Sequence, residues 1–508
     1  MKKLFISLLL FVFFCAQSFA QANLKAIDAY INKAQKDWNV PGLAVAIVKD
    51  GKVVHAKGYG VKELGKADKV DEHTLFAIAS NSKAFVSSAI GTLVDQGKLN
   101  WKDKVKSHLP YFELYDHYAS EEATVEDLLC HRLGLGTYSG DAIWYKSTFS
   151  AEEVVKRIKY VPQAYGFRDG YGYSNLMFIT AGEVIKSVTG KTWAEYVDQT
   201  FIQPLGMSRT ITSTNDLMTK GNYATPHKAV RNENIVVDWV NWDNMGAAGG
   251  IISSVSDMAK WMNFQLANGK IGNEQVLEYN TQANLWTPHN SYLVTEAQKQ
   301  NRPGVNFRGY GLGWAISDYH GRRVIAHGGG YDGMYSRVLM VPEENLGIVV
   351  LTNGMRGISG AITDFVVDKY LGLEEINYSE EALKDMSYPM YDRIDAIKAK
   401  RVPNTQPSLS LDDYVGTFYT PMYGDIHIKK GSNGLLLEFE DAPLLMASLT
   451  HWHYDTFEIK WDVEHAWFDF GTVQFEFDQS RNITGIKIDV PNNDIFFHEL
   501  ELKKVESK

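Results

Sequence analysis

Cysteine is almost missing: the 508 residues contain two, Cys15 and Cys130. A cleaved leader would remove the first, and one remaining thiol cannot close an internal disulfide, so the fold must stand on its apolar core. Cys130 follows Leu128 and Leu129 in a predicted helix and reads as a small buried residue. No basic tract is long enough for nucleic acid, and the net charge of −10 points the same way. There is no G-x-S-x-G elbow and no H-E-x-x-H helix, which sets aside those hydrolase and zinc-protease classes. The apolar run Leu4–Phe14 is too short to span a membrane. Internal repeats and low-complexity segments are lacking as well.

What is present begins with a secretory pattern. Lys2 and Lys3 precede that apolar run, and Ser18-Phe19-Ala20 offers a small-x-small cleavage site. The expectation is an exported protein, periplasmic or secreted, with residues 1–20 removed and no membrane span in the mature chain. Phe14 is bulky where lipid attachment at Cys15 wants a small residue. Hydrophobic residues at 45% and charged residues at 22% match a globular protein, and the length calls for more than one domain.

Leu24–Trp38 has helical spacing, and Asp50-Gly51 is a hairpin turn between two β-rich runs. Val86, Ile90, Leu93 and Val94 give the helix after Ser80 a buried stripe. The middle of the chain reads as mostly helical. Strands return at Arg323–Ala326, Tyr335–Val341 and Gly347–Leu351, followed by a helix over Ile362–Tyr370. This order predicts an α+β domain over 21–373, whose antiparallel sheet is assembled from both ends and flanked by helices, with a mostly helical subdomain. Residues 374–410 read as a partly helical linker. Short alternating strands, among them Leu435–Phe439, Ala466–Phe470 and Val473–Phe477, predict a small all-β barrel or sandwich over 411–508. Its dense aromatics, Trp452, Trp461, Trp467 and Phe475, read as core. His451 and His453 share a strand face, yet no third ligand follows by spacing, so no metal or other cofactor is expected.

Three short motifs carry chemistry. Ser80-x-x-Lys83 puts a hydroxyl and an amine one helical turn apart. A serine hydroxyl needs a nearby base, and burial would lower the lysine pKa until it could act as one. Helix-start N–H groups favour developing negative charge at Ser80. Tyr173-Ser174-Asn175 follows a glycine-rich stretch and reads as a loop that aims side chains into a cleft. Its phenol can share the serine proton, and its amide can hold a substrate amide through donor and acceptor at once. His327-Gly328-Gly329-Gly330 follows a predicted strand, and successive glycines allow close backbone approach to a ligand. Each motif alone also has a bland reading: a helix cap, a solvated lysine, a tight turn.

In this order the motifs resemble the serine β-lactamase and penicillin-binding-protein superfamily, and within it the class C β-lactamase-related hydrolases of the S12 peptidase type. The segments Thr124–His131, Phe201–Met207, Ala248–Ser254 and Tyr310–Trp314 are similar to that family too. The resemblance implies Ser80 as nucleophile, Lys83 as base or proton partner and Tyr173 in the proton relay. It implies Asn175, His327 and Gly329 as substrate contacts, and the N–H groups of Ser80 and Gly330 as oxyanion hole. The implied activity is hydrolysis of amide or ester bonds through an acyl-enzyme, on small peptides, D-amino-acid derivatives or esters, with peptidoglycan fragments as further candidates. A neutral histidine at 327, where better-known members carry a lysine, fits substrates without a carboxylate there. The alternatives are a β-lactamase, a D-Ala-D-Ala carboxypeptidase or a non-catalytic peptidoglycan-binding protein. Tyr414–Tyr419 resembles the opening of the lipocalin-like domain that follows some of these hydrolases, where it caps the site or drives assembly, so a homo-oligomer is among the expectations.

Overall fold

The computed structural model describes residues 24–432 and 434–505. The expected leader lies outside them. The first helix, α1, covers 24–37. Strands β1 (Gly42–Lys49) and β2 (Lys52–Gly60) follow as a hairpin, turning where Asp50 and Gly51 take φ of 52° and 72°. Paired positive φ values are what a tight two-residue hairpin demands.

The sheet is completed much later in the chain. Strands β3 (Asn290–Tyr292), β4 (Arg308–Tyr310), β5 (Ala315–Tyr319), β6 (Arg322–Tyr331), β7 (Met334–Val341) and β8 (Leu346–Thr352) join it. Its order is β2-β1-β8-β7-β6-β5-β4-β3, and every neighbouring pair is antiparallel. The two ends of the domain meet where Leu43 of β1 pairs with Thr352 of β8.

Alternation divides the sheet into two faces. Leu43, Val45 and Ile47 pack with α1 and with α5 (Ile358–Leu371), whereas Ala44, Ala46 and Val48 face the larger core. That larger core is built on α2 (Ser82–Asp95), α3 (Asn175–Thr189) and α4 (Val255–Leu266). Helix α2 runs through its middle. All twelve residues from Ser82 to Leu93 are buried, more than the expected one-sided stripe, and Phe85 stacks on Trp261 with ring centroids 3.7 Å apart. Ser254 caps α4 by accepting from the Asp257 N–H.

The C-terminal region is a closed antiparallel barrel of eight strands: β9 (Gly416–Thr420), β10 (Gly424–Gly431), β11 (Gly434–Phe439), β12 (Met446–His453), β13 (Thr456–Trp461), β14 (Gly471–Phe477), β15 (Ile483–Asp489) and β16 (Leu502–Lys504). Alternating residues such as Leu435, Leu437 and Phe439 fill its interior, and closure removes free edges. Ala466–Phe470, expected as a strand, is an irregular loop, and three of the strands (β9, β12, β16) escaped the pattern. His451 Nε2 meets the Tyr454 carbonyl, and His453 Nδ1 accepts from the Val402 N–H. Between sheet domain and barrel lie helices α6 (Tyr378–Lys384) and α7 (Pro389–Ala399), the latter packing Ile394 against Trp452 and Phe470.

The barrel docks on the segment Ser139–Lys146 and on Lys228. Glu499 accepts from Ser139 Oγ at 2.6 Å and from the Gly140 N–H at 2.8 Å. Lys146 Nζ meets His465 Nδ1 at 2.8 Å, and the buried Lys228 pairs with Glu464 and Asp469. No helix among the described residues is long and apolar enough to cross a membrane.

Because α2 is wrapped on every side, Ile90→Ala should cost about 2–5 kcal/mol, read as a lower urea midpoint at unchanged slope. A cost below about 1 kcal/mol would show that the helix is not the packing centre.

Candidate active site

Ser80 sits on a short 3-10 turn, Ala79–Asn81, that leads into α2. Ala79 takes a φ of 47°, the left-handed region, a strain of roughly 1–3 kcal/mol that the surrounding packing must hold. The turn also abuts β6. At Gly329 a side chain would come within 2.3 Å of the Ile78 carbonyl and of Ser336 Oγ, so only glycine lets this strand lie against the Ser80 turn.

Lys83 is 0% exposed. Its Nζ lies 3.1 Å from Ser80 Oγ, 2.7 Å from Asn175 Oδ1 and 2.8 Å from the Ala248 carbonyl. Burial pulls its pKa down to about 7, against the opposing pull of Asp141. A neutral amine has two hydrogens and one lone pair. Asn175 and Ala248 offer only acceptors and take the hydrogens, which leaves the lone pair facing the Ser80 hydroxyl.

Asn175 relays this arrangement to a second buried group. Its Nδ2 donates to Asp141 Oδ2 at 2.6 Å. Burial raises Asp141 to about 8, and its other oxygen has no partner among the described residues. With both amide ends engaged, Asn175 fixes Lys83 directly. Tyr173 lies under Lys83, ring centre 4.8 Å from Nζ. Burial raises its pKa well above the ordinary value, so it is a neutral phenol, and its hydroxyl faces Ser80 without closing a hydrogen bond of ordinary geometry.

His327 stands 6.1 Å from Tyr173 between ring centres. Nδ1 contacts the Gly328 carbonyl at 2.6 Å and Nε2 the Tyr310 hydroxyl at 2.8 Å. The carbonyl can only accept, so the proton is on Nδ1 and Nε2 accepts from Tyr310. Burial, then the Lys83 charge, lowers its pKa to about 3, and the ring is neutral. His131 completes the aromatic floor, 4.4 Å from the Tyr173 ring, and its Nδ1 accepts from the Ser174 N–H.

Ser80, Asp141, Asn175 and Gly330 line one small cavity of about 60 Å³ together with Trp467 and Asp494 of the barrel. The latter two also line an adjoining cavity of about 340 Å³ whose wall includes Met355, Met386, Tyr388 and Met390. Burial alone raises Asp494 to about 6.

The fold therefore brings Ser80, Lys83, Tyr173, Asn175, His327, Gly329 and Gly330 into one region. Sequence reasoning missed Asp141, Asp494 and Trp467. His131 lay inside a segment noted only for resemblance, and Asp141 follows a left-handed glycine, Gly140, in an ordinary-looking turn. Nothing local distinguishes Asp494.

Residues 27–371 match the family model described as Beta-lactamase. The chain belongs to the Beta-lactamase family. Residues 400–504 match a domain of unknown function, DUF3471. Unguisins hydrolase ungD' of Aspergillus campestris (strain IBT 28561) is 27% identical over 441 residues, covering 81% of this chain and 77% of its own. The octameric penicillin-binding protein homologue from Pyrococcus abyssi shares the fold with a TM-score of 0.62 at 19% identity, over 95% of this chain and 100% of its own. The D-amino acid amidase from Ochrobactrum anthropi SV3 does so with a TM-score of 0.54 at 20% identity, over 68% and 98%.

Adding one methyl group in Gly329→Ala pushes β6 off the Ser80 turn. Labelling of the protein by a fluorophosphonate should fall by at least about tenfold, with the far-UV circular dichroism unchanged. Undiminished labelling would mean that the strand does not set the position of Ser80.

Proposed function

We propose that this protein is an exported serine hydrolase that cleaves amide or ester bonds of small peptides or D-amino-acid derivatives through an acyl-enzyme. The single observation that carries this reading is the fully buried Lys83, its Nζ 3.1 Å from Ser80 Oγ. In the proposed path Ser80 Oγ bonds to the substrate carbonyl carbon while its proton passes to Lys83 Nζ. The carbonyl oxygen becomes an oxyanion held by the N–H groups of Ser80 and Gly330. Through Tyr173 the proton reaches the leaving nitrogen or oxygen as its bond to carbon breaks. Water then attacks the ester, the same groups moving its proton, and Ser80 regains its hydrogen. Export rests on the leader pattern of residues 1–20.

The barrel narrows the substrate class. Asp494 is a half-buried carboxylate without an ion pair among the described residues, at the edge of the Ser80 cavity. A substrate ammonium would answer it, whereas a substrate carboxylate would be repelled. His327, neutral and with both ring nitrogens engaged, offers no cation for a carboxylate either. The methionine- and tyrosine-lined cavity beyond suits an apolar group. An α-amino acyl amide or ester with an apolar side chain fits these features. A protein named as an unguisins hydrolase and a fold neighbour named as a D-amino acid amidase are in keeping with peptide or amide chemistry.

Mass spectrometry after a fluorophosphonate should find one adduct, on Ser80, and a panel of D-amino-acid amides, esters and β-lactams should give turnover of the amides and esters. Ser80→Ala should abolish it; retained activity would end the proposal. The Lys83 group is protonated below its pKa and then cannot accept the serine proton, so kcat/KM should fall as pH drops through about 7. A flat profile from pH 5 to 9, measured on the slow chemical step, would remove Lys83 as the base. Asp494→Asn should raise KM about tenfold for free-amine substrates and leave their N-acetylated forms unaffected. Equal effects on both would mean that Asp494 does not read the amine.

A further inference from the structure

A second polar cavity, about 310 Å³, opens on the other side of the sheet. Alternation along β6 settles its side. Val324 and Ala326 belong to the core shared with α1 and α5, and Gly328, two residues on, points the same way, opposite to His327. Arg337 of β7 pairs in register with Gly328, so its side chain rises behind the very dipeptide that carries His327.

Three guanidinium groups line this cavity: Arg302, Arg308 and Arg337. Gln298, Tyr292 and Ser317 add neutral polar groups. One carboxylate faces them, Asp364 of α5, which lies 2.9 Å from Arg302 Nη2. Arg337 donates Nε to Thr363 Oγ1 at 3.0 Å, a neutral partner. Arg308 has no ion pair among the described residues and rests over the Tyr292 ring. Nε of Arg302 is buried with no partner among them. Burial weakens the hold of Arg337 on its proton, and the charges of Arg302 and Arg308 add to that effect against the opposing pull of Asp364.

Like charges gathered in a concavity repel each other unless something answers them. Here three cations meet one carboxylate: Arg308 stands exposed at the mouth, and Arg337, half-buried, has only a neutral hydroxyl as partner. The guanidinium fork matches the oxygens of a phosphate or carboxylate and binds them in pairs.

We propose that this cavity is a binding site for a doubly charged oxyanion, a phosphate or a dicarboxylate, held by Arg302 and Arg337 with Arg308 at its open mouth. His327 and Gly328 line this cavity too, whereas Ser80, Lys83, Tyr173 and Asn175 do not, and it shares no lining residue with the Ser80 cavity. It is therefore distinct from that cavity. Its occupant sits behind Gly328, and the charge of Arg337 is among those that depress the basicity of His327. An anion there lies against the His327–Gly328 dipeptide and acts on the reaction centre through its charge.

The test is calorimetric titration of the full chain with inorganic phosphate and, separately, succinate, at constant ionic strength set by sodium chloride. At least one of the two should bind with one-to-one stoichiometry. Arg308→Gln, which breaks no ion pair and should leave the melting temperature of the anion-free protein unchanged, should weaken that binding at least about tenfold. Phosphate-only binding assigns the site to phosphate-type ligands, and succinate-only binding assigns it to dicarboxylates; both support it. No binding of either, or binding that Arg308→Gln leaves untouched, overturns it.

Discussion

Everything at the proposed reaction centre depends on keeping water away from one amine. Lys83 is enclosed by α2, α3 and the Ala248 carbonyl, and its three contacts leave no room for solvent. Desolvation disfavours the charged ammonium by several kcal/mol. Asp141, two bonds of the network away, feels the same pressure in the opposite sense, so both groups are driven toward neutrality together. That shared pressure explains why α2 is buried on every side: a helix with a solvated face would bring water to Lys83. It also explains the glycine at 329, since the sheet must close over the Ser80 turn without a side chain between them.

The barrel belongs to this enclosure. It fills its own interior with alternating apolar residues, as any small barrel does, but its loops near Trp467 and Asp494 face outward into the Ser80 cavity. Lys228, fully buried in the sheet domain, meets two barrel carboxylates and fixes that loop. A buried cation stripped of its partners is costly, so this contact favours one docking arrangement over others.

Much of the fold could be read from local pattern. Asp50-Gly51, the β6–β8 meander and the terminal helix are short-range features whose spacing shows in a few residues. Ser80, Lys83, Tyr173, Asn175 and the glycines of β6 were legible because their spacings are family-specific. Asp141 and Asp494 were not, because a carboxylate becomes special only through what surrounds it, and their surroundings come from other segments of the chain. Ala466–Phe470 misled for a related reason. Its aromatics look like strand residues, yet Trp467 reaches across to Gly330 of the sheet domain. Pattern reports that a residue wants burial, not which surface will bury it.

Glu499 joins the two halves more tightly than its position near the C terminus suggests. Both of its oxygens hold Ser139 and Gly140, immediately before the aspartate that supports the lysine through Asn175. Loosening the barrel would slacken that turn and disturb the proposed proton path at Ser80 without any change in the residues around it. Evolution could not exchange one barrel for another here as an independent module: the acceptor on the incoming piece and the turn on the resident piece would have to be inherited as a matched pair.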